Sequence, residues 1–186
     1  MPPVQITETL HVTERAAWRQ WLADNHATKS EIWLVSYKSH TGKPRVDYID
    51  AVKEAICFGW IDGIAKTLEE DRTAQRFTPR RPKGNWTELN KDRARRLIAE
   101  GLMTEAGYAT LPDLSPEAFT IAPDILAALQ ADAQTWANFQ AFPPLYQRVR
   151  TSTIEDQRRN PDEFNRRLGK FLDHTRQNKR YGRWED

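Results

Sequence analysis

The sequence predicts an α+β protein: a small antiparallel sheet of about three strands packed on helices, followed by a mainly helical C-terminal part. Three observations predict it. Glu31-Ile-Trp-Leu-Val-Ser-Tyr-Lys38 is dense in β-branched and aromatic residues, as a strand requires. Ile64 to Leu68 and Thr73 to Thr78 flank an acidic tip, Glu69-Glu-Asp71, in the pattern of a hairpin. Beyond Pro123 the chain reads as successive helical patterns. One short sheet with so large a helical share excludes a doubly wound fold.

The elements follow in order. Val12 to His26 places Trp18, Trp21 and Leu22 on one helical face behind Thr13, a candidate N-cap. In the first strand, Ile32, Leu34 and Ser36 face one way and Trp33, Val35 and Tyr37 the other. Glycine and proline make His40-Thr-Gly-Lys-Pro44 a loop. Asp47 can cap a helix to Phe58 on which only Asp50, Lys53 and Glu54 are polar, so most of its circumference must be covered. Gly59 and Gly63 bracket Trp60-Ile-Asp62 in a tight turn. Two prolines and a glycine keep Thr78 to Gly84 out of a helix; Thr87 starts the next one, stopped by Gly101. A short element begins at Thr104. Three further helical patterns run over 124–131, 135–141 and 144–158, and Asn160-Pro161 starts the last. Gln177 to Asp186 reads as a frayed end.

The chain has 186 residues, 39% apolar and 29% charged, enough apolar content for a packed core. The expected organisation is an α+β core over residues 1–110 and a helical region over 111–186, packed on the core as one unit. The proline-rich Leu111 to Pro123 marks the boundary. No apolar run is long enough to span a membrane, and the opening MPPVQITETL lacks the basic and apolar regions of an export signal. A soluble, cytoplasmic protein is expected. One cysteine, four scattered histidines, and no nucleotide or zinc motif leave no expected cofactor, metal or catalytic residue.

The net charge of +2 hides two basic stretches: nine Lys/Arg against two acids from Arg72 to Arg96, and eleven against five from Gln147 to Arg183. They are either solvated helix faces or a surface for phosphate, nucleic acid or another anion. Cys57 lies at the C-terminal, negative end of its helix, which disfavours a thiolate and favours a buried packing role. Asp62 either accepts turn amides or an arginine, or anchors a pocket floor beside Trp60. In Arg76-Phe-Thr-Pro-Arg-Arg-Pro-Lys-Gly-Asn-Trp86, prolines present Arg80, Arg81 and Lys83 with little freedom, and strand alternation sends Arg76 opposite Phe77. These arginines either hold the hairpin on the helices or rim a binding site. A hairpin returns beside its start, so Trp60, Asp62, Arg76, Arg80 and Trp86 form the candidate ligand-binding site, walled by tryptophan and rimmed by arginine.

Glu31-Ile-Trp-Leu34, Lys38, Tyr48, Ala51-Val52, Cys57-Phe-Gly-Trp-Ile-Asp-Gly63, Gln75-Arg-Phe-Thr-Pro-Arg-Arg81, Trp86, Ala122-Pro-Asp124, Arg166-Arg-Leu168 and Lys179-Arg-Tyr-Gly182 occur in order. Over nearly the whole chain the sequence thereby resembles the YdeI/OmpD-associated family, the bacteriocin-protection proteins. The resemblance implies a link to resistance against bacteriocins or cationic antimicrobial peptides, in connection with an outer-membrane porin, and a periplasmic location; no export signal accompanies it in this sequence. The expected function is non-enzymatic binding of a small anionic ligand or a protein partner. The alternatives are single-stranded nucleic-acid binding through the basic stretches, and an enzyme acting on an anionic small molecule with Asp62 as acid/base.

Overall fold

The computed structural model describes residues 4–82 and 84–186. Lys83, in the predicted basic loop, lies outside them. The chain forms two compact units: one from residues up to 84 together with 93–112, the other from 85–92 together with 113–186.

The first unit contains β1 (Thr9–His11), α1 (Arg15–Asn25), β2 (Ile32–Tyr37), α2 (Tyr48–Cys57), β3 (Trp60–Thr67) and β4 (Arg72–Pro79). It also holds the C-terminal half of α3 (Glu88–Ala99) and all of α4 (Glu105–Tyr108). The sheet has four strands rather than three, in the order β1-β2-β4-β3, and it is mixed: β1 runs parallel to β2, whereas β2–β4 and β4–β3 are antiparallel. A three-residue strand is too short to show an alternation, so only its pairing reveals β1.

The register sorts the two faces. Ile32 lies opposite Phe77, and Phe77 opposite Asp62, so these side chains share a face. That face packs on α1 and α2 through an aromatic cluster: the Trp18 and Phe77 rings lie 5.1 Å apart, and Trp21 meets Trp60 edge-on at 5.9 Å. The Trp18 indole donates to the Ala51 carbonyl at 3.0 Å, locking α1 onto α2. On the other face Trp33, Val35 and Ala74 pack together under Ile6.

α2 is buried further round than its polar residues predict. Glu54 is only 2% exposed, held by Arg15 Nε and Arg19 Nη1 of α1, each at 2.5 Å. Two guanidiniums on one carboxylate make its burial tolerable. Thr13 is not the cap of α1, whose N-cap position is Glu14; Asp47 does hold the N-cap position of α2, but its carboxylate pairs with Arg45 at 3.1 Å instead of bonding the first turn. β3 begins at Trp60, so the predicted turn is confined to Gly59, at φ +72°. Gly63 instead sits in the irregularity between Asp62 and Ala65, where β3 carries one extra residue.

The second unit is helical: α5 (Pro123–Gln130), α6 (Ala133–Ala141), α7 (Pro144–Glu155) and α8 (Pro161–Arg176). Asp132 caps α6 and Asn160 caps α8, which opens on Pro161. Ile125, Leu129, Phe139, Tyr146, Ile154 and Phe171 form its core. The end of the chain is not frayed. Asn178 and Gly182 adopt positive φ and turn it back, so that Tyr181 and Trp184 pack against that core. Among the described residues no helix is long and apolar enough to cross a membrane.

Candidate functional site

The turn from α2 into β3 carries the densest motif of the sequence. A Cβ on Gly59 would lie 2.6 Å from the Ala106 carbonyl oxygen, so this approach of α4 requires glycine. Trp60 is 1% exposed and its indole donates to the His26 carbonyl at 3.2 Å; it packs in the aromatic cluster. Asp62 emerges two residues later, where the Tyr48 hydroxyl of α2 donates to its Oδ2 at 2.6 Å.

Arg80 returns to this turn, its backbone N–H donating to the Gly59 carbonyl at 2.8 Å. Its side chain is 8% exposed; burial lowers the guanidinium to about 10, against the opposing pull of Asp62. Asp62 and Arg80 are thus brought within electrostatic reach beside Trp60. Arg76 is on the opposite face of the sheet from Asp62, its guanidinium donating through Nε to Glu31 at 2.7 Å. Trp86 belongs to the second unit.

Beside the Tyr48–Asp62 bond a cleft of about 380 Å³ opens between the sheet and the N-terminal end of α2. Leu34, Phe77, Val46 and Ala51 supply apolar lining, and Ser36, Thr73 and Gln75 add polar groups. Tyr37, Lys38, His40, Arg45 and Tyr48 also line it. Register explains the mixture: Leu34 lies opposite Gln75 and Ser36 opposite Thr73, so the helix-facing side of the sheet turns polar along β2. Sequence reasoning missed this cleft. The available signal was Ser36 on the same parity as the core residues Ile32 and Leu34.

The cations here are positioned by neighbours. Arg45 Nη2 meets Asp47 at 3.1 Å, and the Lys38 ammonium donates to the Glu70 carbonyl at 2.8 Å. Outside the cleft wall, Lys43 stands 4.3 Å over the Tyr37 ring and bonds Asp71 at 2.9 Å. That bond raises the Lys43 pKa and lowers that of Asp71. The arrangement can receive a small molecule with an apolar body and an anionic group.

Cys57 is fully buried, and burial pushes its thiol up, partly offset by Arg19. In the second unit Trp86, 7% exposed, lines a cavity of about 370 Å³ with Lys91, Thr151, Ser152 and Asp156. Its buried Glu88 receives Lys91 at 2.6 Å and Arg148 at 3.3 Å. Among the described residues no group of three or more His, Cys, Asp or Glu is placed to hold a metal ion.

Residues 10–110, which include both the Cys57–Gly63 and Gln75–Arg81 motifs, match the family described as a domain of unknown function (DUF8412). Residues 118–178 match the family described as bacteriocin-protection, YdeI or OmpD-associated. No curated protein and no solved structure matches the chain.

Proposed function

From a chain that belongs to the DUF8412 family over residues 10–110 and whose residues 118–178 match the family described as bacteriocin-protection, YdeI or OmpD-associated, we propose a binding protein whose first unit takes a small ligand with an apolar body and one anionic group, in the service of resistance to antimicrobial stress. The observation that carries this reading is the cleft between β2, β4 and α2, where apolar, hydroxyl and cationic side chains line one opening. The ligand body lies against Leu34, Phe77 and Ala51. Its anionic group meets Arg45 and Lys38, whose neighbours hold them in place, so that little side-chain freedom is lost on binding. Of the five residues singled out in the sequence, Asp62 reaches the edge of the site by accepting from Tyr48, while Arg80, within electrostatic reach of Asp62, and the buried Trp60 do not line it.

Benzoate is a suitable probe, with benzamide as its uncharged counterpart. Saturation-transfer NMR on the full chain is expected to show benzoate contacts that benzamide makes more weakly and that Arg45→Ala removes. Equal signals from both probes, or benzoate contacts that persist in Arg45→Ala, overturn the reading.

A further inference from the structure

The second basic stretch does not form a continuous track. Arg148 is drawn to Glu88, Arg158 to Asp124 and Glu155, and Arg176 to Asp132. Four of the other eight cations gather at one place. Arg150 of α7 and Arg166, Arg167 and Lys170 of α8 line a cleft of about 230 Å³ closed by Tyr181 of the returning chain end. Among the described residues no carboxylate lines it. Glu163 is shared by Arg166 at 2.7 Å and Arg167 at 2.6 Å, one negative charge for two guanidiniums.

We propose that this cleft in the second unit binds a compact phosphate-bearing ligand, a diphosphate group free or carried on a small molecule. Like charges repel, and the structure holds these cations together by specific means. Arg150 lies over the Tyr146 ring at 5.9 Å and the Tyr181 ring at 5.4 Å, and its Nη2 donates to the Arg183 carbonyl at 2.6 Å. Gly182 makes that placement possible: a Cβ there would lie 2.5 Å from Arg150 Nη1. Positive φ at Asn178 and Gly182 brings the chain back, and the Tyr181 N–H donates to the Tyr146 hydroxyl at 3.3 Å. Arg150 Nε is shielded from solvent and has no hydrogen-bond partner among the described residues.

Cations held in this way are preorganised for an oxyanion, and guanidinium forks match phosphate oxygens in pairs. The Tyr181 ring is already covered by Arg150, by the Lys170 ammonium at 4.9 Å and by His174 at 4.6 Å. It therefore serves the cations rather than offering a platform for a stacked base. A single cleft, with Arg148, Arg158 and Arg176 tied up in ion pairs, also favours a compact ligand over a nucleic-acid strand.

The test is calorimetric titration of the full chain with inorganic pyrophosphate. Saturable binding is expected, weakened about tenfold or more by Lys170→Gln and by Arg166→Gln, the loss of one charge-assisted contact each. Both side chains are exposed, so both variants are expected to fold, and far-UV circular dichroism checks that they do. Absence of pyrophosphate binding, or equal binding by wild type and both variants, overturns the proposal. So does an oligothymidylate that binds in place of pyrophosphate with a steep salt dependence, the behaviour of an extended phosphate track.

Discussion

The Tyr48 hydroxyl donates to the Asp62 carboxylate at 2.6 Å, tying the first residue of α2 to the start of β3. Tyr48 is about half exposed, so in Tyr48→Phe water can replace the lost donor. The expected cost is about 1 kcal/mol or less, accompanied by faster amide hydrogen exchange in the first turn of α2. A loss above about 2 kcal/mol in urea unfolding would assign the bond to the core instead of the cleft edge.

Cys57 is expected to react slowly with a thiol reagent at neutral pH, because burial both blocks access and pushes its pKa up. Cys57→Ala removes one buried sulfur and should cost on the order of 1 kcal/mol. Labelling of the native protein as fast as that of the denatured chain would contradict this.

Two glycines give opposite expectations. A Cβ on Gly107 would collide with the Cys57 carbonyl and the Met103 sulfur, at the place where Thr104 donates to that same carbonyl at 2.6 Å. Gly107→Ala should therefore pry α4 from the end of α2 and cost about 1–3 kcal/mol. Gly169, within α8, has open space around its Cβ position, and Gly169→Ala should stabilise by about 0.5–1 kcal/mol. Urea unfolding of both variants checks the contrast, and two shifts of the same sign would refute it.

Hydrogen bonds from Arg166 and Arg167 lower the Glu163 carboxyl from 4.5 to about 2. A carboxylate lowered in the folded state contributes stability that is fully present above the unfolded value. That contribution is lost as pH falls from 4.5 through about 2. In Glu163→Gln the acid unfolding curve should be less steep over this interval, and carbon-detected NMR of Glu163 should show its low titration directly. A titration midpoint at the ordinary glutamate value would contradict the pairing.

Local chemistry was legible in the sequence because it acts over a few residues. Alternation gave the two faces of β2, and the asparagine–proline pair marked the start of α8. The α+β class followed from the same signals. The YdeI/OmpD-associated resemblance carried by Arg166-Arg-Leu168 falls within the matched residues 118–178. What the sequence determined by itself was therefore the kind of element over most of the chain, β1 and Trp60–Asp62 excepted, and the parity of the β2 side chains.

Tertiary structure decided which parity faced what. Arg76 was known to oppose Phe77, but only the β3–β4 register puts Asp62 on the Phe77 side, since a one-residue slip would exchange the faces. Glu31 claims Arg76 from 45 residues away, and Arg15 and Arg19 claim the buried Glu54 from another helix. The parallel pairing of β1 and the return of Tyr181 onto Tyr146 likewise join residues far apart in sequence. Such pairings depend on how the chain closes on itself, because charge and burial are satisfied by whatever the fold brings near, and local sequence spacing carries no record of that.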